Sequence, residues 1–404
     1  MSPAGLESGD EVLARSFARH AAAFRERFGG AGPPRQFFSP GRVNLMGAHL
    51  DYNGGPVMPT AIDRGTFVAV RPRADSRVVM ASTFDPAVLE VDLTDLPRER
   101  RGVWADYPLG VLVELARRAA AAPAAGVEFL FGGDLAIGAG LSSSASICVG
   151  TALALDVVWE LGLEPLERVH AALDAERGFV GVQCGIMDPY AVGLARPGHL
   201  LWLDCKDARS THLPFDFDGF ALAVADSGVR RELAEGAFNR RVAECRAAFE
   251  VLRRVQPAAT CLRDVAYATL EDQRGELDAT VARRAEHVLR EVARTFSARD
   301  ALLAGHPAGL GVEMTRSHAS LRDLYEVSCP ELDQIVEDSI AVEGVLGARL
   351  TGAGFGGCAV ILLRKGAEEE LRARLAAGFE RRFGRVPPVE LYTGDRGPRE
   401  IEVG

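Results

Sequence analysis

The segment at residues 39–55 carries side chains suited to holding a sugar. It reads SPGRVNLMGAHLDYNGG, and it contains Arg42, His49, Asp51 and Asn53 within a short stretch that ends a predicted strand. Carboxylates and imidazoles pair with vicinal hydroxyls, and glycines let the backbone come close to a ligand. The same residues could equally form a polar surface turn that binds nothing. Its chemistry alone therefore leaves a polyol site and a solvated turn as two open interpretations.

A second segment, GGDLAIGAGLSSSAS at residues 132–146, joins a glycine-rich loop to a serine-rich helix start. Free N–H groups at a helix N-terminus favour anions, and the hydroxyls of Ser142, Ser143 and Ser144 add donors for phosphate and a candidate Mg²⁺ ligand. No Gly-Lys-Ser/Thr follows, so this is not a Walker A loop. A serine N-cap with a flexible lead-in is the alternative, but the length of the run favours phosphate binding.

Two shorter segments carry weaker signals. VQCGIMDP at 182–189 places Asp188 just before a proline, where a turn aspartate is the common explanation. LTGAGFGGC at 350–358 is dense in glycine and precedes a predicted strand. It fits a tight turn as well as a loop that supports a ligand.

Hydrophobic periodicity predicts the elements that must position these segments. Helices are predicted over 10–28, 103–122, 142–162, 230–256, 278–297, 311–327 and 366–383. Strands are predicted over 67–70, 78–80, 88–91, 127–131, 200–203, 220–225, 359–363 and 389–392. Because strands and helices mix without regular βαβ spacing, the pattern predicts the α+β class, with a boundary near residue 195 at ARPGH.

The composition limits the partners and the compartment. The 404 residues carry 46 Lys plus Arg against 56 Asp plus Glu, a net charge of −10, which argues against nucleic-acid binding. Seven cysteines form no CxxC pair, as expected in a reducing compartment. The N-terminus does not read as a signal peptide, and the longest apolar stretch, 147–163, includes two carboxylates. We therefore expect a cytoplasmic protein without a nucleic-acid or membrane partner.

Taken in order, these segments resemble the galactokinase branch of the GHMP kinases. SPGRVNLMGAHLDYNGG is similar to the galactokinase signature, GAGLSSSAS to the ATP loop, and LTGAGFGGC to the third family motif. CGIMD at 184–188 and SHASLRDLYEVSCPELD at 317–333 are also close to the galactokinase pattern. The resemblance covers nearly the whole chain.

This resemblance implies a two-lobed GHMP kinase fold of the α+β class. The nucleotide and sugar sites would lie in the cleft between an N-terminal lobe, residues 1–195, and a C-terminal lobe, residues 196–387. The last strand, near 388–395 within the final segment 388–404, would return to the N-terminal lobe.

The resemblance further implies an ATP-dependent kinase that phosphorylates the anomeric hydroxyl of a galacto-configured sugar. Asp188 matches the catalytic carboxylate and Arg42 its partner, and both would contact the sugar. An arginine beside an aspartate favours the ionised form, and the pair can orient or deprotonate the hydroxyl. Ser144 and Glu176 match the ligands of Mg²⁺, which neutralises charge during phosphoryl transfer.

Further matches assign the sugar and nucleotide contacts. Asp51 matches the residue that reads the O3 and O4 hydroxyls, with His49 and Gly185 in the same pocket, and Trp104 resembles the tryptophan beside adenine. The other residues matched to ATP belong to the loop: Gly138, Gly140, Leu141, Ser142, Ser143, Ser144, Ala145 and Ser146. Ala136 and Ala353 replace the usual Pro and Gly, changes too small to abolish nucleotide binding.

Two departures fall in the predicted sugar pocket. Ala48 stands where galactokinases have a Glu that accepts a hydrogen bond from the 6-hydroxyl, and Phe238 stands where they have a Tyr. A Glu about 4 Å from a C6 carboxylate would repel it by roughly 4 kcal/mol at an effective dielectric near 20, and Ala removes that repulsion. The GAHxD form of the motif, together with the Tyr-to-Phe change, also resembles galacturonokinases within this branch. We therefore predict D-galacturonate as the substrate, although the sequence identifies no cation for its carboxylate. D-galactose is the alternative, and L-arabinose, which lacks C6, is a third.

A galactokinase-like sugar sensor without turnover is the non-enzymatic alternative. In such proteins the ATP loop is often altered or the catalytic carboxylate is missing. In this sequence Arg42, Asp188, Glu176 and the LSSSAS loop are all present. ATP consumption with a galacto-configured sugar would discriminate the two. A related kinase for mevalonate or homoserine fits less well, because DYNGG and CGIMD are features of the sugar branch.

Overall fold

Helices and strands are interspersed along the chain in the computed structural model, which describes residues 9–30, 32–118, 125–135, 140–182, 184–230 and 234–402. The helices are α1 (Gly9–Phe28), α2 (Asp106–Arg118), α3 (Ser143–Val158), α4 (Pro165–Asp174), α5 (Met187–Gly193), α6 (Ala234–Leu252), α7 (Tyr267–Asp272), α8 (Ala279–Leu303), α9 (Pro307–Asp323), α10 (Pro330–Ile340) and α11 (Glu368–Phe383). The predicted α+β class is confirmed. None of the helices in these ranges combines the length and the apolar character needed to cross a membrane.

The strands form three sheets. They are β1 (Arg35–Asn44), β2 (Pro56–Val57), β3 (Pro59–Pro72), β4 (Arg77–Ser82), β5 (Leu89–Asp92), β6 (Val127–Gly133), β7 (His199–Asp204), β8 (Arg209–Pro214), β9 (Phe220–Asp226), β10 (Val345–Thr351), β11 (Cys358–Arg364), β12 (Val389–Tyr392) and β13 (Arg399–Ile401). The sheet orders are β13-β1-β3-β6-β4-β5, β10-β11-β9-β12 and β2-β7-β8.

The first sheet is buried on both faces. Val68 and Val70 of β3 belong to the apolar cluster that also takes in residues of α2 and α3, whereas Phe67 and Ala69 belong to the clusters on the side of α1. Successive side chains of a strand point to opposite faces, so β3 is apolar on both. This double cover fixes the position of its neighbour β1, which carries Arg42 close to its end.

Backbone contact between α9 and the second sheet fixes the position of β10. A Cβ atom added to Gly347 would lie 1.9 Å from the carbonyl oxygen of Gly311, and one added to Gly311 would lie 2.1 Å from that of Leu346. Only glycine permits so close an approach. The strand that carries Arg349 is thereby held against α9.

The third sheet joins distant parts of the chain, because β2 pairs with β7 from beyond the predicted boundary near residue 195. The lobe limits 1–195 and 196–387 stay predictions.

The end of the chain corrects one expectation. The strand at 389–392, expected to return to the N-terminal lobe, pairs with β9 in the second sheet, whereas Gly394, just after it, bridges Ile62 of β3 in the first sheet. The strand that reaches the first sheet is β13, at residues 399–401, where Gln36 faces Ile401 and Phe38 faces Arg399. The return to the first sheet therefore begins at 393–395, beside β3 and within the expected range, and β13 completes it beside β1.

Candidate active site

A cavity of about 460 Å³ brings most of the predicted site residues together. Its walls include residues from β1 and the turn after it, the start of α3, the loop before α5, the first turns of α6, and β10. The sequence-predicted residues that line it are Arg42, Ala48, His49, Asp51, Ser144, Glu176, Gly185, Asp188 and Phe238. The predicted catalytic, metal and sugar positions thus share one cavity.

Arg42 and Asp188 form a two-point contact in this cavity. Nε of Arg42 donates to Oδ1 of Asp188 over 2.8 Å, and Nη2 donates to Oδ2 over 2.7 Å. The Arg42 side chain is 5% exposed and that of Asp188 is 30% exposed. Such a fork fixes the orientation of both carboxylate oxygens. A substrate hydroxyl could therefore be held against a carboxylate that is already oriented.

The serine-rich loop is tied to this pair. Ser142 Oγ donates to Oδ2 of Asp188, and the carbonyl oxygen of Gly140 accepts from Nη1 of Arg42 over 2.6 Å. Ser142 precedes α3 with a left-handed φ of 60°. Side-chain-bearing residues adopt this conformation rarely, at a cost of about 1–3 kcal/mol, and they cluster at functional sites. The free N–H groups of the first turn of α3 therefore begin beside the Arg42–Asp188 pair, where they suit an anion.

The remaining loop residues have different environments. Ser146 is fully buried, donates to the carbonyl oxygen of Ser39 over 2.7 Å and contacts Thr66 Oγ1 at 2.8 Å. Its hydroxyl is committed to the core, so only its backbone could serve the predicted ATP site. Of the others, Ser143 is exposed, Ser144 is half-buried, and Leu141 and Ala145 are buried.

Glu176 and Ser144 form a candidate metal site. Glu176 lies in the π-helical segment Ala175–Val180, is 3% exposed, and has no salt-bridge partner among the described residues. Burial and the neighbouring Asp188 raise the pKa of Glu176 to about 7, although a hydrogen bond with Ser144 acts against them. A buried carboxylate beside a hydroxyl, with no cation in contact, fits Mg²⁺, which prefers oxygen ligands and keeps several sites for water and phosphate.

Asp51 and Gly185 meet on the sugar side of the cavity. A Cβ atom added to Gly185 would lie 1.7 Å from Oδ2 of Asp51, so a larger residue at 185 would displace that carboxylate. Burial, together with Asp188, raises the pKa of Asp51 to about 6. The carboxylate therefore lies near the catalytic pair.

His49 offers an unpaired polar atom at the cavity. Its Nδ1 is 2.8 Å from the hydroxyl of Tyr52, whereas Nε2 is buried without a partner of good hydrogen-bond geometry, although the backbone of Ala353 is close enough to act on the pKa of the ring. Burial lowers the pKa of His49 to about 3, with charges including Arg349 adding to the effect, so the imidazole is neutral near pH 7. Its backbone φ of 59° is again left-handed. A buried ring nitrogen without a partner suits a ligand hydroxyl.

Both departures from the galactokinase pattern face the cavity. Ala48 is 3% exposed, and its N–H donates to Oε1 of Glu291 over 3.2 Å. The ring of Phe238 lies 6.0 Å from that of His49 and 5.4 Å from that of Tyr52, measured between centroids. A methyl group and a phenyl ring thus occupy positions where a carboxylate and a phenol are expected.

Arg349 is a cavity residue that the sequence interpretation missed. It lines the cavity from β10 with 1% of its side chain exposed. Nε donates to the carbonyl oxygen of Leu350 over 2.9 Å, and Nη1 donates to that of Leu45 over 3.3 Å. An arginine inside the apolar strand VLGARLT is a usable signal, because arginine is almost never buried without a partner.

Of the predicted nucleotide contacts, only Ser144 is among the cavity residues in the part of the chain that the structure describes. The ring of Trp104 packs edge-on against that of Phe131, with centroids 5.7 Å apart. Gly138 lies outside the described residues, as does Ala136. Their assignment to ATP stays a prediction.

Comparison with known protein families gives three matches along the chain. Residues 22–72 match the galactokinase galactose-binding signature, 106–196 the GHMP kinase N-terminal domain, and 298–381 the GHMP kinase C-terminal domain. Together they span the segments that carry Arg42, the serine-rich loop, Asp188 and Arg349.

Similar proteins cover almost the whole chain. A galactokinase of Exiguobacterium sibiricum is 37% identical over 388 residues, 94% of this chain and 97% of that protein. One from a Roseiflexus species is 41% identical over 378 residues, 92% of this chain and 95% of that protein. The crystal structure of Lactococcus lactis galactokinase complexed with galactose matches with a TM-score of 0.89 and 32% identity, over 96% of this chain and 100% of that one. The predicted two-lobed GHMP kinase fold is thus confirmed.

Proposed function

The chain belongs to the galactokinase family of the GHMP kinases, and from this membership we propose that it transfers the γ-phosphoryl group of ATP to the anomeric hydroxyl of a galacto-configured sugar. The observation that carries the proposal is the Arg42–Asp188 fork in the same cavity as Asp51 and Glu176. We also propose the cytoplasm as its location, in keeping with its seven cysteines, all of which are free.

Asp188 is proposed to orient the anomeric hydroxyl and accept its proton as that oxygen attacks the γ-phosphorus. Arg42 holds the carboxylate in place through two hydrogen bonds. The donors at the start of α3 then face the phosphates, whose charge they offset without reorganising. Phosphoryl transfer depends mostly on positioning and charge stabilisation, which is what these groups supply.

Ser144 and Glu176 are proposed to hold Mg²⁺. When bound, the ion would neutralise charge on the ATP phosphates. We expect Glu176→Gln to raise the Mg²⁺ concentration for half-maximal rate by about tenfold or more, because it removes the only anionic ligand proposed. A Mg²⁺ titration of the initial rate measures this.

Glu313→Gln is the matched control for that titration, since Glu313 is largely buried but pairs with Arg316 on α9, outside the cavity. An unchanged Mg²⁺ requirement in Glu176→Gln would contradict the assignment.

D-galactose is the acceptor that the names of the relatives support. D-galacturonate is the second candidate, and the specific observation in its favour is that Ala48 and Phe238 both line the cavity. L-arabinose shares the galacto configuration without C6. A sensor without turnover would bind the sugar but release no ADP.

The deciding experiment is a coupled ADP-release assay with D-galacturonate, D-galactose and L-arabinose at equal concentrations. Phosphorus NMR of the product identifies a sugar 1-phosphate. ADP release with at least one of these sugars and a 1-phosphate product would support the kinase. Sugar binding without ADP release would replace it with the sensor.

A further inference from the structure

We infer that Arg349 binds a carboxylate group at C6 of the acceptor sugar. The preferred substrate would then be a galacto-configured uronic acid. This inference rests on the proposed sugar kinase activity and names its substrate class. It supplies the cation that the sequence interpretation lacked.

The first argument is the position of the guanidinium group. Two of its nitrogens are used by backbone carbonyl oxygens, those of Leu350 and Leu45. The third, Nη2, makes no hydrogen bond within the described part of the chain. Although the side chain is 99% buried, Nη2 is not one of the fully buried atoms that lack a partner, so it is the donor that meets the cavity and is left for a ligand. A guanidinium donor in a cavity closed to bulk water gains most from an acceptor on the ligand.

The second argument is an excess of positive charge. The buried carboxylate next to Arg349 is Glu291, and its Oε1 is 3.9 Å from Nη1, beyond hydrogen-bond distance. The oxygens of Glu291 are used elsewhere: Oε2 accepts from Arg294 Nε at 2.8 Å, and Oε1 accepts from Ser317 Oγ at 2.7 Å and from the N–H groups of Gly47 and Ala48. Two arginines therefore share one carboxylate.

Other nearby charges do not remove this excess. The charges that act on Arg349 are those of Glu291, Arg294 and Arg42. Arg42 is itself paired with Asp188. His49 and His287 are buried, which lowers the pKa of His49 to about 3 and that of His287 to about 4, so both are neutral near pH 7. Burial lowers the pKa of Arg349 to about 10, so it keeps its proton at that pH.

The third argument links the excess charge to Ala48. The N–H of Ala48 and Nη1 of Arg349 approach the same oxygen of Glu291. A Glu at position 48, as in the galactokinase pattern, would place a second carboxylate beside these arginines and balance them. With Ala at 48, the protein lacks that negative charge and the cavity gains room. A carboxylate on the substrate would supply both the missing charge and the missing volume.

The remaining carboxylates of the cavity lie around the Arg42–Asp188 pair. Asp51 interacts with Asp188 and Arg42, and Glu176 with Asp188, Arg42 and Arg177. None of these carboxylates is among the charges that act on Arg349. Because Arg349 interacts with Arg42 but with none of these carboxylates, a sugar with its anomeric hydroxyl at Asp188 could place a C6 carboxylate at Arg349.

The first test changes only the substrate. We compare kcat/KM of the wild-type protein for D-galacturonate, the neutral D-galacturonamide and D-galactose. We expect galacturonate to exceed both neutral sugars by about 100-fold, because a buried charged hydrogen bond is lost with each of them. Equal or better use of the amide or of galactose would overturn the inference while leaving the kinase activity intact.

The second test changes the charge in the pocket while leaving Arg349 in place. Ala48→Glu supplies a tethered carboxylate, and Ala48→Gln is its matched control with the same volume and no charge. We expect the galacturonate-to-galactose ratio of kcat/KM to fall at least about 30-fold further in Ala48→Glu than in Ala48→Gln. Equal ratios in the two variants would overturn the inference.

The third test removes the cation. We expect Arg349→Met to lose the preference for galacturonate over galactose, and Arg349→Lys to retain part of it, since lysine keeps the charge. In Arg349→Met, a further Ala48→Glu change should no longer alter the ratio. A preference that survives in Arg349→Met would overturn the inference.

Calorimetric binding separates this inference from the kinase proposal. Should no sugar be phosphorylated, the proposed activity fails, but D-galacturonate binding still tests Arg349. Binding to the wild type that is lost in Ala48→Glu and kept in Ala48→Gln would support the charge contact. No preference for galacturonate over galactose in binding would overturn it.

Discussion

Asp188→Asn is expected to lower kcat for sugar phosphorylation by about 10³-fold or more, with KM for ATP changed less than about threefold. The carboxamide nearly matches the carboxylate in shape and can keep part of the contact with Arg42, but it cannot accept the proton of the attacking hydroxyl. Single-turnover ADP release under saturating sugar and ATP measures the loss directly.

Asp226→Asn is the matched control for this prediction. Asp226 also forms a two-oxygen contact with an arginine, Arg230, at 2.8 and 2.5 Å, but it ends β9 and does not line the cavity. Its replacement should leave kcat within about twofold, since it tests only the loss of a surface ion pair. A kcat in Asp188→Asn above a tenth of the wild-type value would rule out Asp188 as the proton acceptor.

Much of the site was predictable because its residues lie in short segments of unusual composition. Arg42 and Asp188 are 146 positions apart. The resemblance of their segments to family motifs was enough to pair them, and the structure brings their side chains into contact. Ala48 and Phe238 were found the same way, as departures from a pattern that is otherwise kept.

Arg349 and Glu291 escaped prediction for a physical reason. Each is a single charged residue within an otherwise ordinary element, and neither resembles a binding segment when taken alone. Their importance comes from burial and from a meeting of β10 with α8 and the turn after β1, which local periodicity does not encode. That the single carboxylate of Glu291 faces both Arg294 and Arg349 becomes visible only in the folded protein.

Strand partners were the other limit. Periodicity identified the strand at 389–392, but a short apolar run pairs with whichever sheet edge the fold leaves open. That edge belongs to β9, whereas Arg399–Ile401 pairs with the edge of β1. The helix α1 and the start of α8 were predicted closely, because an amphipathic face is a local property, whereas α8 continues to Leu303, beyond its predicted end at 297.

Glu291→Gln is expected to lower the free energy of unfolding by about 3–5 kcal/mol, the cost of leaving buried arginines without their counter-charge. The side chain is fully buried and contacts α9 through Ser317 as well as the turn after β1. Urea unfolding followed by fluorescence measures the change in the free energy of unfolding.

Asp300→Asn is the matched control, since Asp300 lies on the same helix but is 64% exposed and pairs with its neighbour Arg299. It should cost less than about 1 kcal/mol.

The pH dependence of the stability lost in Glu291→Gln distinguishes a loss of charge interactions from a loss of packing. Burial alone would raise the pKa of Glu291, but Arg294, Arg349 and the hydrogen bond from Ser317 outweigh it and lower the pKa from 4.5 to about 2. The folded protein therefore binds fewer protons than the unfolded chain between these values. The stabilisation is fully present above about pH 4.5 and is lost as the pH falls towards 2. The difference between wild type and Glu291→Gln should shrink over that range, whereas a constant difference would assign the loss to packing.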